Sequence, residues 1–388
     1  MKPPATPSLA FALLILGTTL GLAGTDLVLP AVPGLPDTLG GTPAMAQLVL
    51  AAFVTGGCVG LVLFGELGAR LDQRNLLVSS LIGYALVSAA CAFAPSLPAL
   101  IGLRFLHGLS GAAAAVFAPG MIRAMFSEAG AVRALGLMGS VESLTPALAP
   151  VAGVWLLAFG WSASFHVIAA LSLAVAGLIH LLRARLPAPA PTRSTGSYVR
   201  LLSNPVFLRY ALSQALTLGG LLIFVFGAPA VMTKALGGTL GDFILMQVTG
   251  IAFFIVGSNI AGKLAEMLGP ERMILSGTTL SACGLVALLV YGLSGGTAPL
   301  VIAALFVPVN LGLGFRGPPG FFRAVLASDG DDARGAALVI LFILATTAIG
   351  TAIAAPYVTM GLAPLAGVAA AVSCASGLLL LLLPQLKT

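Results

Sequence analysis

Apolar residues run along this chain in blocks of about twenty, broken by short polar stretches, and a helix crossing the hydrocarbon core of a bilayer needs a block of about that length. The blocks lack the strict alternation of apolar and polar positions that marks a transmembrane barrel. The pattern predicts twelve helical spans, at roughly 9–29, 44–65, 76–94, 98–119, 133–158, 163–182, 206–228, 241–262, 273–293, 298–318, 335–355 and 361–384. The first block is too long for the apolar part of a typical signal peptide and has no clear small-residue cleavage site, so it reads as a retained helix. The widest break, RARLPAPAPTRSTGSYVRLLSNP from Arg183 to Pro205, is rich in proline, serine and arginine and reads as an extended linker.

That linker, 183–205, separates six spans in residues 1–182 from six in 206–388. The halves echo each other. LPAVPGLPDTLGGT at 29–42 and APAVMTKALGGT at 228–239 share LGGT at an offset of 197, and the same offset lays GELGARLDQRNLL at 65–77 on GKLAEMLGPERMI at 262–274. The expected fold is therefore an all-α membrane protein of twelve transmembrane helices in two pseudo-symmetric six-helix bundles. Repeats of this kind rock against each other around a site near the membrane midplane. Glycine pairs such as Gly17 and Gly21, or Gly56 and Gly60, suit close helix contacts.

Composition and charge sharpen this picture. Asp, Glu, Lys and Arg make up 8% of the 388 residues and apolar types 59%, too few charges to cover a water-soluble surface of this size. With both termini inside, 16 of the 18 Lys and Arg, Arg316 and Arg323 among them, fall in cytoplasmic segments, while Lys234 falls outside and Arg104 within a span. The net charge of +6 thus reflects topology, with anionic membrane lipid as its counterpart. A clustered basic face with stacking aromatics is absent, so no nucleic-acid partner is expected. The four cysteines show no metal-ligand spacing, and no metal is expected. GLGFRG at 312–317 spells GxGxxG but ends an apolar span instead of opening a helix after a strand, so dinucleotide binding fails on context.

Against so apolar a background, each ionisable residue inside a span is a candidate for function, because its burial is costly. Asp26, in GTDLVLPAVP, lies toward the outer part of the first span just before Pro30 and Pro33, which bend the helix. It reads as a proton-binding acid, or as a solvated rim residue or cap. Arg104 sits early in the fourth span and stays charged, so it needs an acid, a carbonyl or water, and His107 shares its helix face. Glu142 shares a small, kinked stripe of the fifth span with Gly139, Pro146, Pro150 and Gly153. It reads as a second proton site, a counter-ion for a cationic cargo, or a latch to a basic group. At the inner side, GARLDQR and AEMLGPERM offer Arg70, Asp72, Arg74 and Glu266 for a closing latch, next to Gly65.

The spans carry few amides, so unpaired sugar-like hydroxyls would cost about 1–3 kcal/mol each, which favours an apolar cargo. Candidate cargo contacts are Glu142, His107, Gln47, Gln214, Phe53, Phe224 and Asn310. No converged catalytic set and no selectivity ring is present, so neither an enzyme nor a channel is expected.

These stretches resemble the major facilitator superfamily, and within it the drug:proton antiporters of the bicyclomycin and chloramphenicol resistance branch. TDLVLPAVP resembles the branch's first-helix pattern, which implies Asp26 as the proton-binding acid. LIGLRFLHGLSGAA resembles the fourth-span motif, which implies Arg104 as the arginine linked to proton transfer, with Gly108 at its glycine and His107 where glutamine is usual. SLTPALAPVAG resembles the antiporter motif through Pro146, Pro150 and Gly153, although Ala149 replaces a usual glycine. In the loop after the second span, Ala69 stands where the motif has aspartate and Asp72 where it has glycine.

The resemblance implies a proton-coupled secondary transporter exporting lipophilic or amphipathic small molecules by alternating access, in the bacterial cytoplasmic (inner) membrane with both termini cytoplasmic. It implies no cofactor beyond the coupling proton, a small-molecule substrate and lipid as partners, and a monomer. The alternatives are an importer or facilitator of a small metabolite, or a membrane binding protein that does not transport.

Overall fold

The computed structural model describes residues 7–187 and 197–386; Lys2, Arg193 and Lys387, and the middle of the expected linker, lie outside the described residues. Among the described residues the fold is all helix. The elements are α1 (Pro7–Asp26), a 3₁₀ stretch (Leu29–Gly34), α2 (Leu35–Leu39), α3 (Pro43–Arg70), α4 (Gln73–Ala92), α5 (Leu97–Gly111), α6 (Ala113–Met125), α7 (Glu128–Leu157) and α8 (Ala163–Leu182). After the linker come α9 (Tyr198–Leu202), α10 (Pro205–Ala230), α11 (Leu240–Leu268), α12 (Pro270–Leu293), α13 (Pro299–Leu326), α14 (Asp332–Ala354) and α15 (Leu362–Leu382). The linker is less extended than its composition suggests, since Ser197 accepts from the Arg200 amide and caps the short α9.

Eleven segments are long and apolar enough to cross a membrane. The twelfth is α7, bent by 42° between Glu128–Pro146 and Leu148–Leu157, and counting this bent pair as one span gives the expected twelve. Pro146 and Pro150 account for the bend, because a proline inside a helix removes a backbone donor and crowds the preceding turn.

The repeated LGGT has a local cause. In both copies the threonine caps the next helix, Thr42 accepting from Met45 N and Thr239 from Asp242 N. The glycines before it take positive φ, 73° at Gly40 and 67° at Gly237, a region that favours residues without a Cβ. The repeated text therefore encodes a turn and a helix start.

The chain forms two compact units. One gathers Met1–Met125, Val141–Thr195 and Gly330–Ala337; the other gathers Phe126–Ser140, Gly196–Asp329 and Leu338–Thr388. Each unit thus contains a short segment from the opposite half of the sequence. In the first, α3 packs on α5, α4 on α5 and α8, and α1 on α6 and α8. In the second, the same pattern returns as α11 on α13, with α12 on α13 and α15. Matching hydrogen bonds mark the repeat: Ser80 Oγ donates to Ser110 O at 2.5 Å in one unit, and Ser281 Oγ to Val309 O at 2.8 Å in the other.

The α3–α5 crossing depends on Gly108, where a methyl group would overlap the Phe53 carbonyl and approach Gly57 N to 3.0 Å. Gly108→Ala should cost stability near the top of the about 1–3 kcal/mol range for overpacking. The control is Gly102→Ala on the same helix, where nothing lies within 4 Å. Thermal unfolding of the purified protein should show a large drop for the first and none for the second.

The spans run further than hydropathy suggests. The tenth extends to Leu326, so Arg316, expected in a cytoplasmic segment, lies inside α13 with 0% exposure. Its guanidinium donates to Ser213 O at 2.6 Å and Thr217 Oγ1 at 3.1 Å, both on α10. A backbone carbonyl and hydroxyls replace water around the cation, which is how a span accommodates it.

Candidate functional site

The first helix ends at Asp26, and the chain then turns through the 3₁₀ stretch holding Pro30 and Pro33. Val28, Ala31, Val32 and Leu35 are buried there, fixing the break against its own unit. Two further contacts clamp it. Ser164 Oγ of α8 donates to Leu27 O at 3.0 Å, and Gly153 of α7 lies so close that a methyl would meet Leu27 O and the Pro30 ring. The glycine of the α7 stripe is therefore the position at which α7 rests on the break after Asp26.

Asp26 itself is partly accessible and has no ion-pair partner among the described residues. Its carboxyl sits at the C-terminal, negative end of α1.

Arg104, 0% exposed on α5, does not pair with Asp26. It donates from Nη1 to Gly24 O at 2.9 Å and from Nε to Val49 O at 3.3 Å, tying the end of α1 to α3. The guanidinium also lies 4.2 Å over the Phe53 ring, a cation–π contact. His107 completes the cluster, with Nδ1 2.9 Å from Arg104 Nη1 and its ring stacked on Tyr84 at 4.1 Å. Tyr84 donates to Leu20 O at 3.0 Å, a second grip on α1. Arg104 is thus a cationic clamp on the backbone two residues before the acid, and it satisfies one of the orphan carbonyls of a helix C-terminus.

Glu142, on α7 just before the Pro146 bend, is partly accessible, and Thr18 of α1 lies beside it. Among the described residues no basic side chain pairs with it, so the latch reading of Glu142 finds no partner there.

The other expected cargo contacts are dispersed. Gln47 is exposed on α3, and Phe53 belongs to the Arg104 cluster. Phe224 is buried and stacked on Phe306 at 5.3 Å within the apolar core of the second unit, and Asn310 is buried with its amide donating to Phe306 O. Gln214 is buried with its Oε1 unpartnered.

The charges around the α3–α4 loop are arranged differently from the expected latch. Asp72 caps α4 through Arg74 N at 2.9 Å and bonds the Arg74 guanidinium, which holds its carboxyl below the usual carboxylate range. Gly65 is buried and Arg70 pairs with Glu66 four residues back, whereas Glu266 pairs with Arg133 at 2.8 Å in the second unit. The sequence reading missed the central acid, Glu66. It takes Arg334 Nε at 2.8 Å, while Arg334 Nη1 takes Asp331 at 2.7 Å and Arg123 takes Asp332 at 2.5 Å, all within the first unit. The second unit repeats the theme with Arg133–Glu266 and Arg323–Glu128. Glu66 and Glu266, Arg123 and Arg323, and Arg133 and Arg334 recur about two hundred residues apart, a signal available in the sequence. Glu66 stands one turn before Ala69, where the resembled motif has its aspartate.

Comparison with known proteins agrees with this architecture. The profile of the Major Facilitator Superfamily matches residues 14–355, so the chain belongs to that family and is a membrane transporter. It is 28% identical over 325 residues to YdgK of Bacillus subtilis (strain 168), described as an uncharacterized MFS-type transporter, with 80% of each chain covered. It is also 28% identical over 292 residues to a chloramphenicol resistance protein of Pseudomonas aeruginosa, covering 72% of this chain and 68% of that one. The crystal structure of the transporter FucP in the outward conformation superposes with a TM-score of 0.76 at 16% identity, covering 96% of this chain and 98% of FucP, a likeness of fold.

Proposed function

We propose that the protein exports lipophilic or amphipathic small molecules across the bacterial inner membrane in exchange for protons, by alternating access, with Asp26 as the coupling acid. The observation that carries this reading is an acid at the end of a span, partly accessible and without a basic partner among the described residues, whose neighbouring backbone is clamped by a buried arginine. Such an acid changes the charge of α1 when it gains or loses a proton, and the Arg104 clamp passes that change to α3 and α5. The similarity to a chloramphenicol resistance protein supports export of drug-like cargo, and the scarcity of amides in the spans supports an apolar one. The distribution of Lys and Arg supports both termini in the cytoplasm.

The direct test uses purified protein in proteoliposomes with an imposed pH gradient and a panel of neutral and cationic lipophilic compounds. Uphill movement of at least one compound, abolished by a protonophore, is the expected result; movement that ignores the gradient for every compound would remove the proton from the mechanism.

A further inference from the structure

We propose that an anionic phospholipid lodges on the second unit, with its phosphate at Arg272 and an acyl chain in the groove between α12 and α15.

A groove of about 920 Å³ opens between these two helices, which pack on each other within the second unit. Along its length it is lined by Leu275, Val286 and Val290 of α12 and by Leu378 and Leu381 of α15, all of them exposed. Gly377 leaves the groove open on the α15 side, because a methyl group built there would meet nothing within 4 Å. Such a surface on spanning helices matches the apolar chains of a lipid.

The two ends of the groove differ in charge. At one end it continues past Cys283 and Thr279 to Arg272. Arg272, Ser276, Thr279 and Cys283 recur at three- and four-residue spacing, so they share one face of α12. From Arg272 to Cys283 the helix rises about 16 Å, roughly half of a hydrocarbon core about 30 Å thick, which is the depth of one leaflet. Arg272 is exposed and has no ion-pair partner among the described residues. The adjacent acid is occupied elsewhere, since Glu271 accepts from Arg209 Nη2 at 3.1 Å and from the Tyr210 hydroxyl, both on α10. At the opposite end no cation is among the lining residues, and the polar groups serve the protein itself. Ser294 Oγ donates to Tyr291 O at 2.8 Å, and the Tyr291 hydroxyl accepts from Ala298 N at 3.0 Å. An unneutralised guanidinium at one mouth of an apolar groove between spanning helices suits an anionic headgroup with its chain running beneath.

The test is native mass spectrometry of the purified full-length protein, stripped of lipid and titrated in detergent with dioleoylphosphatidylglycerol or dioleoylphosphatidylcholine. The wild type should bind one phosphatidylglycerol about fivefold more tightly than phosphatidylcholine, the factor that one cation near a membrane surface contributes. Arg272→Gln should abolish this preference and Arg272→Lys should keep it. Arg183→Gln, which removes an exposed arginine of the first unit, should leave it unchanged. Gly377→Leu fills the groove and should weaken both lipids by about fourfold or more, the loss of at least one buried methylene. Glycerol phosphate, a headgroup without chains, should displace neither lipid. Arg272 is exposed and Gly377 faces open space, so both variants should melt at the wild-type temperature. A preference that survives Arg272→Gln or is lost equally in Arg183→Gln, unchanged affinities in Gly377→Leu, or displacement by glycerol phosphate would each overturn the proposal. So would a dimer that Gly377→Leu dissociates, because a second copy of the chain would then cover this face. None of these measurements involves transport, so their failure leaves the exporter reading untouched.

Discussion

Asp26→Asn is expected to abolish export driven by a pH gradient while cargo still binds and equilibrates down its own gradient. The substitution keeps size and hydrogen-bonding capacity and removes only the change of charge. In a medium of low dielectric the carboxylate and its neutral form differ by several kcal/mol, about enough to move a two-state equilibrium a hundredfold or more. No ion pair is lost with the carboxylate, so the fold should survive, and the melting temperature should stay within a few degrees, roughly 1 kcal/mol or less in stability. Export of drug-like cargo from proteoliposomes should fall to the level of empty vesicles, and counterflow should persist. Undiminished uphill export by this variant would remove Asp26 from the mechanism.

The second large effect is on stability. Arg334 pairs with Glu66 and with Asp331, whose side chain is 0% exposed and already has one oxygen without a partner. Arg334→Ala would leave Asp331 as a buried charge with no counter-charge, at a cost of about 3–5 kcal/mol. The double variant Asp331→Ala/Arg334→Ala should recover part of that loss, because the stranded carboxylate is gone. Arg133→Ala offers the contrast: its pair with Glu266 is 53% and 46% exposed, and such pairs contribute about 0–1 kcal/mol. Thermal unfolding in detergent should therefore rank Arg334→Ala far below the double variant and Arg133→Ala near the wild type. Equal melting temperatures for Arg334→Ala and Arg133→Ala would show that burial does not decide the strength of these pairs.

Much of the fold was legible because lipid leaves only a few ways to satisfy a backbone. Blocks of about twenty apolar residues had to be helices, whereas the role of the repeated LGGT, a turn before a capped helix, emerges only in the structure. What hydropathy misjudged was Arg316. Counting cations assigned it to the cytoplasmic side, but Ser213 O and Thr217 Oγ1 on another helix take the role of water, and no local pattern announces a partner a hundred residues away. The candidate site divides in the same way. Asp26, Arg104 and Glu142 stood out as ionisable residues in spans. That Arg104 would grip the Gly24 carbonyl and leave Asp26 without a partner depended on how α5 crosses α1 and α3, which only packing determines. Glu66 escapes the resembled motif, which points to Ala69 and Asp72, because it stands one turn earlier on α3 and only the fold brings Arg334 to it.

The measurement that bears most directly on the central claim is proton counting during transport. Proteoliposomes loaded with a trapped pH indicator would report internal pH as cargo moves across the membrane in the absence of any imposed gradient. Proton movement opposite to the cargo, in fixed proportion to it and absent in Asp26→Asn, is the predicted result. Cargo movement with no change in internal pH, or the same proton flux in the Asn variant, would contradict the account.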